Sequence, residues 1–178
     1  MLLFLQKTAY ASFLLKFNLC RLSRYFSYLF CQSISRRSEG QSLGSLGIAY
    51  FSLGQYDKAI EFQKQRLVIA REIKDRRGEG NALGNLGLAY DSLGKYDKAI
   101  DFQLQALAIL LEIKDRRGEG NALGNLGLAY SALGKYDKAI EFQKQRLAIT
   151  REIKDRRGEG NALGNLGNAY SALGKYAD

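Results

Sequence analysis

From Arg77 to Leu93 the apolar side chains recur at intervals of three and four. Turning by about 100° per residue places Ala82, Leu83, Leu86, Ala89, Tyr90 and Leu93 in one sector. Gly80, Asn81, Gly84, Asn85, Gly87, Leu88, Asp91 and Ser92 fall on the opposite side. The pattern predicts an amphipathic helix, helix A. Asp75 stands where a side chain caps its first turn, and Gly94 where a left-handed residue ends it. A second helix, B, is predicted from Tyr96 to about Lys114. Ala99, Ile100, Leu107 and Leu110 form its stripe, and Phe102, Ile109 and Ile113 widen it. A linker of two or three residues makes A and B antiparallel neighbours.

The same pattern returns every forty residues. Lys74 to Tyr90 reads KDRRGEGNALGNLGLAY, Lys114 to Tyr130 repeats it letter for letter, and Lys154 to Tyr170 changes only Leu88 to Asn168. A looser copy starts near Arg36. A fixed period of this size marks a stacked helical array in which each unit buries its apolar face against the next. The expected architecture is an all-α solenoid of about three and a half repeats, 36–75, 76–115, 116–155 and an incomplete 156–178, preceded by a leader, 1–35. Glycines at 78, 80, 84 and 87 each cost an isolated helix about 0.8–1 kcal/mol relative to alanine. Helix A therefore owes its order to packing, and glycine at that density lets neighbouring helices approach closely.

Composition narrows the chemistry. Proline and histidine are absent, and both cysteines, Cys20 and Cys31, lie in the leader. That excludes His-based metal sites and Ser–His or Cys–His catalysis, so no cofactor and no enzyme activity are expected. Asp97, Lys98 and Asp101 place carboxylates four apart, but with no convergent pocket they read as solvated surface. GEGNALGN follows a helix and lacks GK[ST], so it is not a phosphate loop. The net charge of +9 divides unevenly. Six of those charges belong to residues 1–37, which carry no acid, so the array is nearly neutral and nucleic acid is not its expected partner.

The leader is apolar, aromatic and basic. Its uncharged runs are too short to span a membrane, and no positive charge precedes its first apolar stretch as a secretory signal requires. Phe13, Phe17 and, further on, Arg21 and Arg24 alternate at helical spacing with Leu14, Leu22 and Phe26. Three readings stay open: a helix covering the first repeat, an amphipathic membrane anchor, or a stretch with no evolved structure. A cytoplasmic location follows, at the membrane periphery if the anchor holds.

Leu86-Gly87, Tyr90, Leu93-Gly94, Tyr96 and Ala99-Ile100, with their copies, resemble the tetratricopeptide repeat over about 36–178. The forty-residue period and the QRLVIAREIKDR phrasing are similar to the long-repeat branch of kinesin light chains and the Leu-Gly-Asn-repeat spindle adaptor. The early aromatic of the family is Leu83 here, and its closing proline is missing. The resemblance implies a right-handed superhelix whose A helices line a concave groove for peptides or partner segments, with no catalytic residues. Carried over by position, the groove falls on Asn81, Asn85, Leu88 and Asp91, then Asn121, Asn125 and Leu128, then Asn161, Asn165 and Asn168. Asparagine both donates and accepts, so Asn85, Asn125 and Asn165 could hold an extended main chain; the alternative is a solvated face kept by duplication. The family's basic clamp for a terminal carboxylate needs Lys or Arg at Gly84 and is missing.

One copy departs from its neighbours. Lys64 and Lys144 become Leu104, Arg66 and Arg146 become Ala106, and Arg71 and Arg151 become Leu111. Leu104 and Leu111 share a face, either as a contact on the convex side or with Leu111 tucked against a neighbour. In the last copy, Leu166, Tyr170 and Leu173 are expected to lie uncovered, which implies fraying, self-association or an origin as a fragment of a longer array. The expected function is a non-enzymatic scaffold for a protein or peptide partner. A sensor segment of a larger signalling protein and a membrane-peripheral adaptor are the alternatives.

Overall fold

The computed structural model describes residues 34–174; the leader's proposed amphipathic helix, its two cysteines and Tyr176 lie outside them. The chain divides into two compact units, Met1–Ser38 and Glu39–Asp178, and the helix pairs belong to the second. Among the described residues there are seven helices and no strand. They are α1 (34–52), α2 (Tyr56–Glu72), α3 (Arg76–Ser92), α4 (Tyr96–Glu112), α5 (Arg116–Ala132), α6 (Tyr136–Glu152) and α7 (Arg156–Ala172). Odd-numbered helices are A helices and even-numbered ones are B helices. Consecutive helices pack, and successive A helices also touch, α3 with α5 and α5 with α7. This is an all-α solenoid of helix pairs. None of the described helices is long and apolar enough to cross a membrane.

Local chemistry sets the boundaries. The Asp75 carboxylate accepts the Gly78 N–H at 3.0 Å, and Asp115 and Asp155 do the same for Gly118 and Gly158. Each such cap contributes about 1 kcal/mol. Helix A ends as expected on a left-handed glycine, Gly94, at φ 70°. Helix B ends the same way without one: Lys74, Lys114 and Lys154 stand at φ 56–57°. There the Lys74 N–H bonds the Arg71 carbonyl and the Asp75 N–H the Ala70 carbonyl, which satisfies the last turn. Asp75 thus closes one helix with its backbone and opens the next with its side chain.

The core follows the apolar sector. Ala82, Leu83, Leu86 and Ala89 of α3 are almost wholly buried between Ile60 and Leu67 of α2 and Ala106, Ile109 and Leu110 of α4. Each such leucine contributes roughly 1.5–3 kcal/mol by burial. Tyr50, Tyr90 and Tyr130 stack on Phe62, Phe102 and Phe142 at 5.2–5.4 Å between ring centroids. Lys58, Lys98 and Lys138 lie over the same tyrosines, so Lys98 is more than solvated surface.

Gly80 and Gly87, opposite the apolar sector, are buried against Ile109 and Gln103 of α4. An A helix inside a stack is flanked by two B helices, one from its own repeat and one from the repeat before, so its glycine side is enclosed too. One sequence expectation needs correction. In α7, Leu166, Tyr170 and Leu173 are not the uncovered residues, because they pack on Ile140 and Leu147 of the preceding repeat. The open flank is Leu163, 46% exposed where Leu83 and Leu123 are 1% and 2%, together with Gly160, Gly164 and Gly167.

Arginines tie the repeats together. The Glu79 carboxylate, buried in α3, accepts from Arg71 Nε at 2.8 Å and from an Arg76 terminal nitrogen at 2.6 Å. Arg76 also pairs with Glu112 at the far end of α4, and Arg116 with Glu152. Those arginine hydrogen bonds hold the Glu112 and Glu152 carboxyls below their ordinary range.

Candidate functional site

Between successive A helices runs a groove floored by the intervening B helix. The gap between α3 and α5 holds a cavity of about 170 Å³. Asn81, Asn85 and Leu88 of α3 border it on one side, and Asn121 and Asn125 of α5 on the other. Gln103, Ala106 and Leu110 of α4 form its floor. A second cavity, about 210 Å³, lies between α1 and α3; Ile48 and Phe51 line it with Asn85 and Leu88, over Ala59 and Gln63. Five of the ten groove residues named from sequence therefore meet around one cavity.

The other five stand apart from these cavities. Leu128 is 47% exposed, Asn161 and Asn168 are exposed, and Asn165 is half-buried on α7. Asp91 is half-buried on the last turn of α3, where burial raises its carboxyl above the usual range. Leu104 and Leu111 are 43% and 52% exposed on α4, so Leu111 is not tucked away.

Sequence reasoning missed the floor. Gln63, Gln103 and Gln143 are 1–2% exposed in the B helices. Each carboxamide N–H donates to a carbonyl of the facing A helix, at Gly44, Gly84 and Gly124, at 3.0–3.1 Å. The same side chains fill the space where a Cβ on Gly47, Gly87 or Gly127 would stand, within 2.4–2.6 Å. Glycine is required there because the glutamine lies across the helix backbone. The three Oε1 atoms have no hydrogen-bond partner within the protein. A signal was available: Gln recurs in every copy while the positions one and three residues further on vary.

The position three residues beyond the glutamine carries the second missed feature. Arg66 and Arg146 extend across Gly44 and Gly124, a guanidinium nitrogen standing 2.6 Å from each missing Cβ. Both are half-buried, and burial lowers their pKa, with Asp75 and Asp155 opposing it. In the middle repeat Ala106 takes this place, and nothing lies within 4 Å of a Cβ on Gly84. Among the described residues no group of three or more His, Cys, Asp or Glu side chains could hold a metal ion.

Stacked helix pairs around a carboxamide-lined groove define an α-solenoid of the interaction type. The family model described as the tetratricopeptide repeat matches residues 38–112 and 118–178. The chain belongs to the tetratricopeptide repeat family, whose fold is in general a non-catalytic interaction scaffold. No curated protein matches it. Among solved structures it is similar to BtubC (BKLC) from P. vanneervenii, at 23% identity and a TM-score of 0.71, over 77% of this chain and 57% of that one. A Rap protein complexed with Competence and Sporulation Factor matches at 19% identity and TM-score 0.70, over 78% of this chain and 38% of that one. The nearly identical TPR-like repeats of a putative kinesin light chain from Podosopora anserina match at 23% and 0.66, over 76% and 67%. The chain thus spans little more than half of the first of these proteins and well under half of the second.

Proposed function

We propose that the array binds an extended segment of a partner protein along the groove between its A helices. The observation that carries this reading is the convergence of Asn81, Asn85, Asn121 and Asn125 on one cavity. Carboxamides on both walls offer donors and acceptors to a peptide main chain at a spacing no single helix could provide. The cavity floor adds Leu110 and Ala106, so a side chain entering it meets apolar surface below and amides around. The Rap protein with Competence and Sporulation Factor is a complex formed on a similar fold.

Selection of a displayed library of short random peptides on the immobilised full chain tests this. Enriched peptides are expected to bind the wild type and to lose about tenfold or more in affinity for Asn85→Ala/Asn125→Ala. That variant should keep its helical circular dichroism, since Asn85 and Asn125 are only half-buried and alanine favours the helix. Equal binding to both proteins would put the site elsewhere, with the exposed Leu104 and Leu111 next in line.

A further inference from the structure

The groove is not the same in every repeat. In the first and third repeats a guanidinium, sent from the B helix, occupies the place above the A-helix glycine. Sequence position alone suggested that no basic group stands there, because Gly84 and its copies hold no side chain. The charge arrives from the other helix of the pair. The ion pairs of α2 to α7 draw on Arg71, Arg76, Arg77, Arg116, Arg151 and Arg156, not on Arg66 or Arg146. Arg146 Nε is buried with no hydrogen-bond partner in the protein. In the second repeat the corresponding space is the 170 Å³ cavity over Ala106, where Gln103 Oε1 also lacks a partner. Along the groove the order is cation, neutral cavity, cation.

Asp75 and Asp155 act on these guanidiniums through space without an ion pair in contact, so each guanidinium can still take an anion through charge-assisted hydrogen bonds. Two such groups, one on each side of a neutral gap, call for two anions on one ligand. A chain terminus offers one carboxylate. A nucleic acid carries charge at every unit, and the surface between the arginines, Asn85, Leu88 and Leu110, is uncharged. Acidic side chains along a peptide fit both conditions. We propose that the groove takes an extended acidic segment, with Asp or Glu carboxylates on Arg66 and Arg146 and an uncharged side chain between them in the cavity over Ala106. This rests on the peptide-groove reading above and names the class of peptide.

The test compares peptide pools selected on the wild type, Arg66→Gln/Arg146→Gln and Ala106→Arg, with end-blocked synthetic peptides from the wild-type pool used for titration. Wild type should select peptides with two acidic positions flanking a neutral one. The double variant should lose that bias and bind the blocked peptide at least about tenfold more weakly. Ala106→Arg, which the fold accommodates because Arg66 and Arg146 already occupy equivalent places, should turn the central position acidic. It remains informative if the double variant does not fold. A wild-type pool without acidic bias overturns the inference, as does equal binding of the blocked peptide to the double variant. If Asn85→Ala/Asn125→Ala still abolishes binding in those cases, the groove reading stands without it. No selection on any of the proteins overturns both.

Discussion

The middle repeat and the two around it share most of their letters, yet three of the exchanges in its B helix act in three separate places. Leu104 changes the outer surface, where it is 43% exposed. Ala106 changes the groove floor, opening a cavity that arginine fills on either side. Leu111 changes the seam between repeats. Glu79 is held by Arg71 and Arg76, and Glu159 by Arg151 and Arg156, but Glu119 is held by Arg116 alone. Position within the repeat therefore decides what an arginine is for. One supports the stack, another lies over a glycine of the facing helix, and only the geometry separates them.

That comparison can be broken most severely at the feature the repeats share. Gly87→Ala places a Cβ 2.6 Å from Gln103 Nε2, with Cγ and Cδ of that buried side chain also within 3 Å. Overpacking and the strained hydrogen bond should cost about 1–3 kcal/mol in a urea titration. Gly84→Ala, one turn earlier on the same helix, meets nothing within 4 Å. It should stabilise by about 0.5–1 kcal/mol through helix propensity alone. Gly124→Ala, its counterpart in the third repeat, meets Arg146 and should yield less than Gly84→Ala; an equal gain would mean that the guanidinium does not rest on the glycine.

Leu111→Arg sharpens the seam. It should restore a second guanidinium to Glu119 and raise the melting temperature by an amount worth no more than about 1 kcal/mol, since the arginine is largely in water. High salt should erase the gain. Asp91→Asn is the smallest change. Burial raises the Asp91 carboxyl above its unfolded value, so the folded state holds the proton more tightly. Stability from this group is greatest in acid and declines as pH rises through the window between the two values. The amide should therefore stabilise at neutral pH by a fraction of a kcal/mol, after screening by water, and the difference should vanish in acid.

Much of the fold was legible. Asp75 and Gly94 marked the ends of helix A, and the sector from Ala82 to Tyr90 forms the core, because apolar periodicity reports burial directly. What escaped notice was polar and small. A helical wheel shows one buried side, whereas α3 is enclosed by α2 and α4, so the burial of Gly80 and Gly87 is not legible from apolar periodicity. Gln103 was not placed at all, since a carboxamide is buried only when a backbone carbonyl waits for it, and that carbonyl belongs to another helix. The arginine at 66 and 146 cannot be told from a surface charge by its letter for the same reason: its destination depends on a missing side chain across the interface.

The carbonyl of Gly84 and the carboxamide of Gln103 lie nineteen residues apart, inside one forty-residue unit, as do their equivalents at Gly44 and Gly124. Unequal exchange between copies would thus add or delete whole units without separating a glutamine from its glycine. Such editing would keep that bond in every unit but change the side chains that stand over the A-helix glycines. Excising the unit that holds Ala106 would leave a sound stack with Arg66 and Arg146 in adjoining units, and so a different preference from a nearly unchanged text.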